Sequence, residues 1–196
     1  MGRPPRDKEK RRGRENKHVD LAKTLTVFGE EKLDALLAES QNPLLLVLDG
    51  IQDPHNLGAC LRVADAAGVD AILVPKNRAA PLTPTVRKIA CGGAETVPFI
   101  RVVNIPRVIG KINDLGLLSI GTSDRASKSL YEIDLTGPTA IVVGSEADGI
   151  RRLTADRCGV LASIPMLGKV ACLNASVATG VLLFEAVRQR IAGGER

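Results

Sequence analysis

A chain of 196 residues is long enough for one full hydrophobic core and short of two, so one domain with an N-terminal extension is expected. The net charge of +5 lies wholly in residues 1–17, where Arg3, Arg6, Lys8, Lys10, Arg11, Arg12, Arg14 and Lys17 outnumber Asp7, Glu9 and Glu15; the remainder is balanced. Two histidines, His18 and His55, and Cys60, Cys91, Cys158 and Cys172 in no metal-like spacing argue against a zinc site and a histidine triad, and the thiols read as reduced, mostly structural cysteines of a cytoplasmic protein.

Residues 1–17, with Gly2, Pro4, Pro5 and Gly13 and almost no apolar side chain, form a basic arm expected to stay disordered. It either draws phosphates through counterion release or serves only as a solubilising tail. It holds no apolar run of a secretory signal, and no later run is long enough to span a bilayer. Residues 18–42 form an extension in which Leu33, Leu36 and Leu37 predict a helix over Glu30 to Ser40, closed by Pro43. A core domain over 43–196 follows.

In that domain six short apolar runs alternate with helical patterns. The predicted strands are Leu44–Leu48, Ala71–Val74, Val97–Val102, Leu117–Gly121, Ala140–Val143 and Val160–Ile164. Their unbroken Val, Ile and Leu character predicts an α/β fold with a mostly parallel six-stranded sheet and helices on both faces. The predicted helices are Leu57–Ala67, Thr83–Cys91, Ile105–Leu115, Ile150–Arg157 and Asn174–Arg190. Leu57, Cys60, Leu61 and Ala64 make the buried stripe of the first, and Val177, Gly180, Val181 and Phe184 that of the last. Glu185 and Arg188 are placed to pair on its exposed side. Phe28, Phe99, Phe184 and Tyr131 are the only aromatic residues, too few for a platform on which bases stack.

Three segments put glycines and polar residues just beyond a buried strand, where an α/β sheet holds its ligand. They run Asp49 to Arg62, Gly144 to Gly149, and Ile164 to Ser176. Asn56 and Arg62 lie six positions apart, about 240° around a helix, so they cannot share a face if both are helical. Asn56 is then a helix cap or the organiser of a site. Arg62 is either a solvent-facing arginine paired with Asp65 or a group that meets a phosphate or a reacting hydroxyl. Glu146 can cap the following helix. Asn174 and Ser176 open the last helix, where capping accounts for both, although free N–H groups there also suit an anion. Lys169 adds a charge on the loop before it. The glycines around Glu146 lack the ending of a phosphate loop and the spacing of a dinucleotide fingerprint.

Together the three segments resemble the three motifs of the SpoU (TrmH-like) branch of the SPOUT RNA methyltransferases, from about Pro43 to Arg190. Asp53-Pro54-His55-Asn56-Leu57-Gly58-Ala59-Cys60-Leu61-Arg62, Lys88-Ile89-Ala90-Cys91-Gly92, Arg151-Arg152-Leu153-Thr154 and Phe184-Glu185-Ala186-Val187-Arg188-Gln189-Arg190 are similar to members that methylate a guanosine 2′-hydroxyl in large-subunit ribosomal RNA. The resemblance implies a C-terminal deep trefoil knot, a homodimer, an RNA substrate, ribosomal before transfer RNA, and S-adenosyl-L-methionine as cofactor without a metal. It implies catalytic roles for Asn56, Arg62, Glu146 and Asn174, and a cofactor site at Thr122, Gly144, Ile164, Met166, Leu173 and Ser176. A non-catalytic RNA-binding protein on the same knot is the alternative it leaves open.

The sequence departs from the family pattern at Cys172, where a serine is usual two residues before the motif-three asparagine; a thiol hydrogen-bonds more weakly than a hydroxyl. The resemblance also implies an RNA-binding domain ahead of Pro43, where this sequence has 42 residues.

Overall fold

The computed structural model describes residues 26–194; the basic arm over residues 1–17 lies outside them. The strands are β1 (Val27–Phe28), β2 (Leu44–Asp49), β3 (Ala71–Pro75), β4 (Phe99–Val102), β5 (Leu118–Thr122), β6 (Lys128–Ser129), β7 (Thr139–Gly144) and β8 (Val160–Ser163). They form one sheet in the order β1-β4-β3-β2-β7-β5-β8-β6, and every pairing is parallel. Parallel pairing throughout puts all the C-terminal strand ends, and the loops that leave them, on one edge of the sheet.

Each central strand is apolar on both faces because both are covered. Leu44, Leu46 and Leu48 of β2 enter one core with Leu57, Leu61, Val86 and Leu182. Leu45 and Val47 enter a second core with Leu33, Ile105, Ile109 and Ile112. The first core is roofed by α2 (Pro54–Ala66), α3 (Pro84–Ala90), α4 (Gly93–Thr96) and α7 (Ala175–Ala192), the second by α1 (Glu30–Glu39) and α5 (Ile105–Asp114). The remaining helix, α6, covers Arg152–Ala155.

Six of the strands stand where the apolar runs predict them, but the sheet has eight. β1 and β6 are two residues each and sit at the two edges, too short to leave a pattern in the sequence. The helix expected over Ile150–Arg157 shrinks to Arg152–Ala155, since Gly149 to Arg151 serve as the exit of a tight hairpin described below.

The last helix forms where expected, but with its buried face rotated. It buries Ala175, Thr179, Leu182, Leu183, Glu185 and Ala186, while Val177 is 52% and Phe184 47% exposed. The helix is apolar around most of its circumference, so periodicity alone leaves its phase open; contact with α2 sets it, marked by the buried Thr179 hydroxyl at 3.5 Å from the Cys60 thiol. Glu185 does pair with Arg188, but from the buried side. Burial pushes the Cys60 thiol up to about 11, which keeps it an unreactive packing group.

α2 starts at a defined point. Asp53 is its N-cap, accepting from the His55 N–H at 3.1 Å, and Pro54 fills the first helical position. Asp53→Ala should lower stability by about 1 kcal/mol, read as a shift in the urea midpoint. The His55 N–H holds the Asp53 carboxyl below the usual carboxylate range. The cap's contribution is therefore complete at neutral pH and is lost as pH falls through that lowered value.

Candidate active site

Asn56, Glu146 and Asn174 meet in space at the C-terminal edge of the sheet. The Asn174 amide nitrogen donates to Asn56 Oδ1 at 2.9 Å and also to the Glu146 carboxylate. Asn56 Nδ2 donates to Glu146 Oε1 at 3.1 Å, and the Ala175 N–H donates to the same oxygen at 3.2 Å. Asn174 is at the same time the N-cap of α7, its Oδ1 accepting from the Ser176 and Val177 N–H groups and from the Ser176 hydroxyl at 2.6 Å. The carboxylate thus sits at the positive end of an eighteen-residue helix, where free backbone N–H groups gather.

This arrangement alters three local expectations. Asn56 is no cap: Asp53 takes that role, and Asn56 stands in the first turn of α2. Glu146 reaches α7 rather than the helix that follows it in sequence, whose N-cap is Arg151. Arg62 is exposed and forms no ion pair among the described residues, while Asp65 accepts a hydrogen bond from Thr96 instead. With both Asn56 and Arg62 helical, Arg62 projects from a different face of α2 and stays outside the cluster, as the 240° separation requires.

A cavity of about 530 Å³ adjoins the cluster. Thr122, Gly144, Ile164, Met166 and Leu173 line it, as do Glu146 and Cys172. Ser176 stands outside the lining and is turned to Asn174. Ser145 of the glycine-bracketed segment contributes as well, and so do Ser123, Asp124, Arg125, Ile150 and Ala178; no spacing in the sequence singles out these five, because they enter from separate loops and from α7, which only the fold brings together.

The entrance wall depends on one glycine. Beyond β7 the chain folds straight back on itself, Ser145 and Gly149 exchanging backbone hydrogen bonds of 3.1 and 2.9 Å. A Cβ on Gly144 would stand 1.9 Å from the Gly149 carbonyl carbon, so no side chain fits there. The hairpin carries Glu146 at its tip and is fastened at its exit by Asp49, the wholly buried last residue of β2. That carboxylate accepts from the Arg151 N–H at 3.1 Å, from Nε at 2.7 Å and from Nη2. The signal for this pair was a lone acid closing an otherwise apolar strand. Burial, and then the Asp49 charge, push the neighbouring Cys158 thiol up to about 12.

A small-ligand cavity at the C-terminal edge of a parallel sheet, closed by a hairpin and flanked by a carboxylate-amide cluster, defines an α/β protein built for a nucleoside-sized ligand. The model of the SpoU rRNA Methylase family matches residues 43–184. The chain belongs to that family.

It is 56% identical over 174 residues to the 23S rRNA (guanosine-2′-O-)-methyltransferase RlmB of Vibrio parahaemolyticus, covering 89% of this chain and 69% of that protein. With the RlmB of Pseudomonas aeruginosa it shares 56% over 165 residues, 84% of this chain and 66% of the other. The chain thus spans about two thirds of the length of these relatives. Among solved structures, the SpoU methyltransferase AviRb from Streptomyces viridochromogenes in complex with AdoMet superposes with a TM-score of 0.75 at 29% identity, covering 82% of this chain and 65% of that one. A TrmH/SpoU tRNA modifying enzyme of A. aeolicus gives 0.72 at 29% identity, covering 84% and 85%.

Proposed function

We propose that this chain is an S-adenosylmethionine-dependent RNA ribose 2′-O-methyltransferase acting on a guanosine of 23S ribosomal RNA. One observation carries the reading: residues 118 positions apart, Asn56 and Asn174, hydrogen-bond to each other and to Glu146 at the mouth of the cavity. The RlmB relatives name the substrate.

The cavity residues fit the cofactor. Its volume lies within the range of about 300–1,000 Å³ usual for small-ligand sites, and Ile164, Met166 and Leu173 offer apolar walls for an adenine ring. Gly144, bare of a side chain, lets backbone approach closely. Bound there, S-adenosylmethionine supplies a sulfonium methyl for in-line transfer to a ribose 2′-oxygen, with no metal.

Glu146, Asn56 and Asn174 hold one another in a single arrangement, so the ribose meets a preorganised wall rather than mobile amides. Arg62 acts through its positive charge rather than as a base. It eases proton loss from the 2′-hydroxyl by stabilising the negative charge that develops on the oxygen, and it holds an RNA phosphate through which the proton passes to solvent. Cys172, exposed on the cavity wall, offers a weaker hydrogen bond than the usual serine, and Cys172→Ser is the substitution that measures the cost.

The reading includes a C-terminal trefoil knot. What supports it is the path of the chain after β8, which returns past the loops following β5 and β7, all three lining one cavity, before α7 packs on α2 and β7. It includes a homodimer as well. Val177, Phe184 and Ile191, seven residues apart, form one exposed apolar stripe along α7, at 52%, 47% and 59% exposure. Phe184→Glu should convert the dimer to a monomer in light scattering while the unfolding midpoint of the subunit stays cooperative; a variant that remains dimeric would place the interface elsewhere. The site of action is the cytoplasm, where ribosomal RNA is made and modified; among the described residues no helix is long and apolar enough to cross a membrane.

The assay is direct. Protein, labelled S-adenosylmethionine and 23S ribosomal RNA are incubated, and ribose methylation is mapped by mass spectrometry. A new 2′-O-methylguanosine is the expected product. Transfer to transfer RNA alone would move the substrate, and no transfer to either RNA, with cofactor bound in calorimetry, would leave a non-catalytic RNA-binding protein.

A further inference from the structure

Arg62 is a cation with an acid on its own doorstep. Asp65 lies three positions along α2, and residues at that spacing are neighbours on a helix surface. Both side chains are exposed, and a carboxylate so placed pairs readily with an arginine and dulls its attraction for an incoming anion. Yet the pair does not form. The Thr96 hydroxyl donates to Asp65 Oδ1 at 2.5 Å, drawing the carboxylate toward α4.

The short helix α4 is in place to do this because two glycines admit it. Gly92, at a φ of +104°, turns the chain into it. Gly93 lies so close to α2 that an added Cβ would stand 2.5 Å from the Leu61 carbonyl oxygen and 3.2 Å from Arg62 Cα. Glu95, the other carboxylate of this segment, is engaged by Arg87 Nε at 2.8 Å in a largely buried pair. The acid beside Arg62 on α2 and the acid carried by α4 are thus both held by other partners.

We propose that Thr96 is a positioning residue for Arg62: by holding Asp65 it leaves the guanidinium uncompensated for the RNA. This rests on the role given to Arg62 above. It adds a function for α4 that packing alone does not require, since Thr96 and Asp65 are both at the surface and neither fills the core.

The test uses Thr96→Val, Asp65→Asn, the double variant and Thr96→Ser, each assayed for methyl transfer to 23S ribosomal RNA at low salt and for S-adenosylmethionine binding by calorimetry. Thr96→Val frees Asp65 to pair with Arg62. It should lower kcat/KM for RNA by about three- to fivefold, the weight of an exposed ion pair, without altering cofactor affinity. Thr96→Ser should retain full activity. The decisive variant is the double one: with the charge at position 65 removed, loss of the threonine no longer matters, and activity should return to that of Asp65→Asn, itself close to wild type. A merely structural role for Thr96 would leave the double variant as slow as Thr96→Val, and that result would overturn the proposal, as would a fully active Thr96→Val. If the valine destabilises the fold, Thr96→Ala carries the same expectations. Arg62→Ala separates the two levels of the argument. If it is as active as wild type, the role of Arg62 fails; if it is inactive while Thr96→Val is unimpaired, only the role of Thr96 fails.

Discussion

Arg62→Ala is expected to lower methyl transfer by about 10²–10³-fold, the usual effect of removing one group that stabilises developing charge, with no change in cofactor affinity. The split follows from position. Arg62 is exposed, lies outside the residues that line the cavity and takes no part in the Asn56–Glu146–Asn174 cluster. Its removal therefore leaves the cofactor's walls and the cluster as they are. No buried partner is orphaned either, because Arg62 has no ion pair among the described residues, so stability should be unaffected. Single-turnover rates with saturating RNA, beside calorimetry with S-adenosylmethionine, read the two quantities separately. Unimpaired turnover would remove Arg62 from the reaction, and a matching loss of cofactor affinity would show that it acts in binding.

Gly144→Ala should do the reverse. The new methyl group would stand 1.9 Å from the Gly149 carbonyl carbon and 2.1 Å from both the Gly149 oxygen and the Ile150 nitrogen. All three are backbone atoms, so no rotamer change relieves the clash. The hairpin must lift from the end of β7, and it carries Glu146 and part of the cavity wall with it. A displacement on the scale of an ångström costs about 100-fold in rate, and here the first loss is cofactor binding. The dissociation constant for S-adenosylmethionine should rise by that order, and the unfolding midpoint should fall as the Asp49–Arg151 fastening is strained. An alanine variant that binds cofactor as wild type does would mean that the hairpin tolerates displacement and that the close approach at Gly144 is incidental.

The strands were the most legible part of the chain. The central runs Leu44–Leu48, Ala71–Val74 and Ala140–Val143 are buried on both faces, and a continuous run of Val, Ile and Leu has that one comfortable environment; in Val160–Ile164, next to the sheet edge, only Ala162 is fully buried. Three helices were legible to within two residues, Thr83–Cys91, Ile105–Leu115 and Asn174–Arg190, whereas α2 begins three residues before Leu57 and the short α4 left no pattern of its own. Where sequence reading failed, the missing information lay in another segment. α7 has apolar residues on nearly every side, and only its seating on Cys60 of α2 and on β7 tells which of them are covered. Asn56 reads as a cap when only its own helix is in view; Asp53 takes that place, and the partners of Asn56 come from residues 146 and 174.

The chemical vocabulary of the site was likewise present in the sequence. Asn56, Arg62, Glu146 and Asn174 all stand in glycine-marked segments beyond buried strands, and Thr122, Gly144, Ile164, Met166 and Leu173, the residues proposed to hold the cofactor, gather around one cavity. Their grammar was not. That Glu146 accepts from both asparagines, that Asp49 fastens the hairpin through Arg151, and that Thr96 draws Asp65 away from Arg62 are contacts between residues 28 to 102 positions apart. Local sequence determined which segments become strands and helices, because period and capping act over a few residues. The strand order and the packing of α2 against α4 and α7 decided which polar groups meet, because a hydrogen bond is settled at 3 Å whatever the distance along the chain.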